Sequence, residues 1–128
     1  MVYIIDDDES VRRALGRLVR SAGMESVASA SVDEFLMQDL SAEQCCVVAD
    51  VRMPGTASLR LPAVLAARGR RIPVIFLTAQ DTPQSRAEAK DHGGAAFFRK
   101  PVDDQALLDT IAWLAAGEPK PGALGERQ

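Results

Sequence analysis

Cysteine is scarce and poorly spaced for chemistry. The only two, Cys45 and Cys46, are adjacent inside an apolar run, whereas a disulfide framework or a zinc site needs separated ligands. They read as two small residues of a buried strand, with a redox-active pair as the alternative. A polybasic tract is also missing, and 18 acidic against 15 basic residues leave a formal net charge of -3. Direct nucleic-acid binding by this chain is therefore not expected, and any DNA binding must lie outside it. Long hydrophobic runs are absent too: the run after Met1, Val2 to Ile5, is too short for a secretory core or a membrane span. A cytoplasmic protein without a membrane partner is expected. The single histidine, His92, precedes Gly93-Gly94 and reads as the C-terminal residue of a helix rather than a phosphohistidine. No internal repeat is evident.

What is present is a chain of 128 residues, 47% of them apolar, enough for one continuous core and too little for two ordinary domains. Five short β-rich runs stand out: Val2 to Ile5, Glu25 to Ala28, Cys45 to Ala49, Ile72 to Leu77 and Ala95 to Phe98. Helical patterns lie between them. Ser10 to Ala22 carries Val11, Leu15, Leu18 and Val19 at helical spacing and stops at Gly23. Ser31 caps a short segment with Asp33 and Glu34 in its first turn and Phe35, Leu36 and Leu40 as its apolar side. A third stretch, Ser58 to Ala67, contains Pro62, which predicts a late start or a kink. Ser85 to His92 is short and polar, and Asp103 to Ala116 is long, with Leu107, Leu108, Ile111, Trp113 and Leu114. Unbroken apolar runs such as CCVVA suit a sheet covered on both faces, and their alternation with helices predicts parallel βα units in an open α/β sheet. After Ala116 the glycines and prolines of GEPKPGALGERQ suit a linker or flexible tail. This divides the chain into a domain over 1–117 and a tail over 118–128.

In such a sheet ligands gather at the carboxyl ends of the strands. The first strand delivers Asp6-Asp7-Asp8, the third Asp50, the fourth Thr78 and the fifth Lys100, followed by Pro101. Singly, each has a plain explanation as a helix cap, a strand end or a rim residue. Together they bring carboxylates that repel one another unless a cation compensates, beside a hydroxyl and an ammonium. Oxygen ligands favour magnesium or manganese over zinc. A carboxylate can itself accept a phosphoryl group, and Asp50, alone at the end of the central strand, is the natural acceptor.

As an ordered set, IIDDDESVRR, VVADVRMPG, FLTAQ and FFRKPVDDQALLDTI resemble the receiver domain of two-component response regulators. The likeness runs from Tyr3 to about Ala116 and is nearest to receivers of helix-turn-helix transcriptional regulators of the nitrogen-fixation and nodulation type. It implies a doubly wound, flavodoxin-like α/β fold, a five-stranded parallel sheet of order 2-1-3-4-5 with five helices. Carried over by position, it implies metal binding (Mg2+ or Mn2+) by Asp6, Asp7, Asp50 and the backbone carbonyl of Arg52, with phosphorylation on Asp50. Thr78 and Lys100 would contact phosphoryl oxygens, the backbone N–H groups of Val51 and Ala79 would be further donors, and Phe97 would be the aromatic that turns inward. Arg52 and Gln80 would tune dephosphorylation, and Asp8 matches no metal ligand. Ordinary core packing is the plain alternative for Phe97, as solvated loop positions are for Arg52 and Gln80.

The implied partners are a histidine kinase, a C-terminal DNA-binding output domain and a phosphorylation-dependent homodimer. The chain would be a phosphoacceptor regulator that takes part in its own phosphorylation and dephosphorylation, not an enzyme acting on a separate substrate. One departure stands out. Ser58 occupies a position where the family usually has glycine, which predicts either backbone strain or a reshaped loop. Two alternatives stay open, a pseudo-receiver binding module that is not phosphorylated, and a small phosphohydrolase working through an aspartyl phosphate. The latter usually needs a second acid beside the nucleophile and a cap to exclude water.

Overall fold

A computed structural model describes residues 1–40, 44–51, 58–79 and 82–116. The apolar runs become the strands β1 (Val2–Ile5), β2 (Ser26–Ser29), β3 (Cys46–Asp50), β4 (Val74–Thr78) and β5 (Ala96–Arg99). Between and after them lie the helices α1 (Glu9–Ser21), α2 (Val32–Leu36), α3 (Leu61–Ala67), α4 (Pro83–Asp91) and α5 (Asp104–Ala115). The strands pair in parallel in the order β2-β1-β3-β4-β5, as the sequence resemblance implies.

Side chains alternate across the strands. Tyr3, Ile5, Val47, Ala49, Val74 and Phe76 enter one layer, where α2, α3 and α4 cover them with Phe35, Leu61, Leu65 and Ala89. Val2, Ile4, Val48, Ile75 and Leu77 enter the other, beneath Leu15 and Val19 of α1 and Leu107 and Ile111 of α5. Every residue of β1, β3 and β4 is consequently buried, which is why these strands read as continuous apolar runs. The paired cysteines are separated by the same alternation: Cys45 belongs to the first layer and Cys46 to the second. Burial, reinforced by Cys45, pushes the Cys46 thiol up to about 12, so neither packing nor ionisation suits a redox pair.

The helix ends carry most of the local sequence logic. The Asp8 carboxylate caps α1, Ser31 caps α2 and Asp103 caps α5, each accepting a backbone N–H from the first turn. At the far end of α1 the chain leaves through Gly23 at φ +83°, a left-handed turn that glycine permits without steric cost. The delayed third helix takes a definite form: a 3-10 turn over Ser58–Arg60 precedes α3 and leaves Pro62 in the first α-helical turn, where no N–H is lost from the ladder. The fourth helix starts earlier than its polar pattern predicts. Thr82 and Ser85 form a reciprocal capping box and Pro83 opens the helix, so a T-P-x-S signal sets its start where the segment itself has little apolar pattern.

Close packing accounts for Gly94, between α4 and β5. A Cβ there would lie 2.7 Å from Phe76 Cδ2 and 3.0 Å from the Ala89 carbonyl oxygen, and Phe76 is fully buried. Gly94→Ala is expected to lower stability by about 2 kcal/mol or more through overpacking, read as a lower denaturant midpoint with an unchanged slope.

Candidate functional site

Strand register assembles the site. Ile5 pairs with Ala49, so the next residues, Asp6 and Asp50, stand level at the carboxyl edge. Asp50 pairs with Leu77, Leu77 with Phe98 and Thr78 with Arg99, which sets Thr78 one step and Lys100 two steps beyond the level of Asp50 along the neighbouring strands. Asp6, Asp7 and Asp50 each offer a carboxylate oxygen, all within 4.8 Å of one another. Asp6 and Asp50 are buried and Asp7 is exposed, so the cluster opens to solvent on one side.

The Lys100 ammonium spans the cluster, lying 3.2 Å from Oδ2 of Asp6 and 3.2 Å from Oδ2 of Asp50. Burial by itself would lower the Lys100 pKa, but the Asp50 charge and the Asp6 hydrogen bond and charge outweigh it and the net shift is upward. The ammonium stays charged at neutral pH. Asp6 is also raised, chiefly by burial and further by the Asp50 charge, against the opposing pull of the Asp8 N–H and Lys100. Among the described residues, three carboxylates and one ammonium leave an excess of negative charge, and the side-chain atoms offered to a cation are all oxygens. That set fits magnesium or manganese, hard ions that bind a few carboxylates and retain water.

Several contacts fix this geometry. The Asp8 backbone N–H donates to Asp6 Oδ1 at 2.9 Å, while the Asp8 carboxylate accepts from Ser10 N at 2.8 Å as the α1 cap; the third acid of the run thus has a structural task. Arg12, which the motif reading passed over, donates through Nη1 to the Asp6 carbonyl at 2.7 Å. Its position one turn into the helix after the acidic run is the signal that could have revealed it. The Lys100 N–H donates to the Thr78 carbonyl at 2.7 Å, tying the fourth and fifth strand ends together. Thr78 is buried, Ala79 is exposed and Phe97 is half-buried. The Phe97 ring lies beneath the guanidinium of Arg86, whose Cζ is 5.2 Å from the ring centroid.

One expected donor is engaged elsewhere. The Val51 N–H, anticipated as a contact to a phosphoryl oxygen, donates instead to the Leu77 carbonyl at 2.8 Å, because the hydrogen bonding between the third and fourth strands continues one residue past Asp50. Arg52 and Gln80 lie outside the described residues. Ser58, singled out as a departure, is fully buried, and no non-glycine residue among those described has positive φ. Backbone strain at Ser58 is therefore not its consequence. Its hydroxyl donates to the Asp50 carbonyl at 2.5 Å and lies 3.3 Å from that of Val51.

Strand order and carboxylate corner together define a flavodoxin-like α/β domain built around an acidic cluster at its switch-point edge. Comparison with known proteins identifies the family: the chain belongs to the response regulator receiver domains, whose family description matches residues 2–112. Nodulation protein W of Bradyrhizobium diazoefficiens is 38% identical over 111 residues, covering 87% of this chain and 49% of that protein. Transcriptional regulatory protein FixJ of Azorhizobium caulinodans is 37% identical over 110 residues, with 86% and 52% covered. A crystal structure of a response regulator receiver protein from Burkholderia phymatum matches with TM-score 0.77 and 38% identity, covering 94% of this chain and 97% of that one. The chain is thus related to transcriptional regulators of two-component systems, and it spans about half the length of the curated relatives it matches. No helix among the described residues is long and apolar enough to cross a membrane.

Proposed function

We propose that the chain accepts a phosphoryl group on Asp50 from a histidine kinase, with Mg2+ or Mn2+ held by Asp6, Asp7 and Asp50, and relays the event to an output that regulates transcription. The observation that carries this reading is the Lys100 ammonium bridging Asp6 and Asp50 at 3.2 Å each within the three-carboxylate corner. An Asp50 carboxylate oxygen forms the new bond to phosphorus as the bond from phosphorus to the donor's histidine nitrogen, or to the oxygen of a small acyl phosphate, breaks. The bound cation supplies charge neutralisation and orientation for the phosphoryl oxygens. Lys100 neutralises further charge, and the Thr78 hydroxyl serves as a donor from the adjacent strand end. The Ala79 N–H and the Arg52 carbonyl complete the proposed set, with Arg52 and Gln80 tuning loss of the group to water. Residues 1–117 form the receiver and 118–128 the connection to the output. Incubation with Mg2+ and acetyl phosphate should attach one phosphoryl group per chain, labile to alkali and hydroxylamine as an acyl phosphate is; a chain that stays unlabelled at saturating donor would overturn the reading.

Phe97 is proposed as the aromatic element of the switch, and Arg86 favours its present position. A cation–π contact at an exposed site is worth about 0.5–1 kcal/mol, a bias of roughly two- to fivefold. Arg86→Ala is therefore expected to raise the inward-turned population of Phe97 by that factor before phosphorylation, measured by NMR exchange on the ring resonances.

A further inference from the structure

The sealed hydroxyl of Ser58 points to a role that its usual counterpart, glycine, cannot fill. Asp50 ends β3, and its carbonyl receives the Ser58 hydroxyl at 2.5 Å, with the Val51 carbonyl 3.3 Å from the same oxygen. On the other side, the Val51 N–H is held by Leu77 at 2.8 Å. The chain is thereby anchored where it leaves the acceptor strand and where it returns at the 3-10 turn, and Ser58 itself links those two points. Ser58 is fully buried, so loss of the hydroxyl removes this donor from a buried carbonyl. Glycine at this position would remove the bond and add backbone freedom together.

We infer that Ser58 is a positioning residue for the divalent-cation site: by clamping the Asp50 carbonyl to the start of the 3-10 turn, it holds the Asp50 carboxylate in register with Asp6 and Asp7 and so sets cation affinity. This rests on the cation-binding part of the proposed function. It does not depend on phosphorylation taking place. Mg2+ and Mn2+ demand close geometry from few protein ligands, so a small displacement of one carboxylate weakens binding.

The test is Mn2+ binding to the whole chain, followed by the electron paramagnetic resonance of free Mn2+, with thermal midpoints recorded with and without the ion. Ser58→Ala and Ser58→Gly should each weaken Mn2+ binding by roughly three- to tenfold, the scale of one lost buried hydrogen bond. The midpoint increment produced by a fixed Mn2+ concentration should shrink accordingly. Ser58→Cys, nearly isosteric with a weaker donor, should fall between serine and alanine, and remains the comparison if alanine does not fold. A purely structural hydroxyl would lower the midpoint equally with and without Mn2+ and leave affinity unchanged in the folded variants, which would overturn the inference. A parent chain that binds Mn2+ but takes no phosphoryl label would overturn the phosphoacceptor reading alone. A parent chain that binds no Mn2+ would overturn both.

Discussion

Asp50→Asn should abolish hydroxylamine-labile labelling, with a loss of roughly 100-fold or more in phosphoryl incorporation from acetyl phosphate, because an amide is not a competent nucleophile. The substitution nearly preserves shape and leaves the backbone contacts at Asp50 and Val51 available. Far-UV circular dichroism should therefore match the parent while the label disappears. The contrast matters, because Lys100 touches both Asp6 and Asp50, and a general collapse of the corner would remove labelling for an uninteresting reason. Retained labelling in the asparagine variant would mean that another side chain accepts the group.

Asp6→Asn should act in opposite directions on function and stability. Burial is the largest influence on Asp6, the Asp50 charge adds to it, and together they raise its pKa despite the Asp8 N–H and Lys100. A carboxyl whose pKa is higher folded than unfolded binds its proton more tightly in the native state. Its ionisation therefore costs stability: the penalty is absent well below the ordinary value of 3.8, grows as pH rises through that value toward the raised one, and is complete at neutral pH. Replacing Asp6 by the uncharged amide removes the penalty. The metal-free chain should melt at a higher temperature than the parent at pH 7, with little gain at pH 3. The same change deletes a buried carboxylate from the cation site and should weaken Mn2+ binding by about tenfold or more. A variant that loses both stability and metal affinity at neutral pH would contradict the electrostatic account of this corner.

The parts of this structure that could be read from sequence are those governed by local pattern. The unbroken apolar character of β1, β3 and β4 follows from burial on both faces, and it foretold a parallel sheet. The ordered acids, threonine and lysine then belonged at one edge. Register was not legible, since it depends on how separate strands pair, and it is register that brings Asp6 level with Asp50. Side-chain contacts between neighbouring elements were harder to read than the elements themselves. The Arg12 bond to the Asp6 carbonyl, the Arg86 position over Phe97 and the Ser58 bond to the Asp50 carbonyl all join residues brought together by folding. Val51 is instructive in the other direction: family position made its N–H a donor to the site, but the sheet extends one residue further and uses it. The start of α4 was misjudged on purely local grounds, because Thr82, Pro83 and Ser85 form a capping signal ahead of a segment with little apolar pattern.

The most direct test of the central claim is to locate the modified residue chemically. After incubation of the chain with Mg2+ and acetyl phosphate, borohydride reduction converts an aspartyl phosphate to homoserine, and peptide mass spectrometry identifies the position. The account predicts homoserine at position 50 alone, dependent on the divalent cation and prevented by its chelation. Homoserine at another acidic residue, or none in a folded chain that binds the cation, would contradict it.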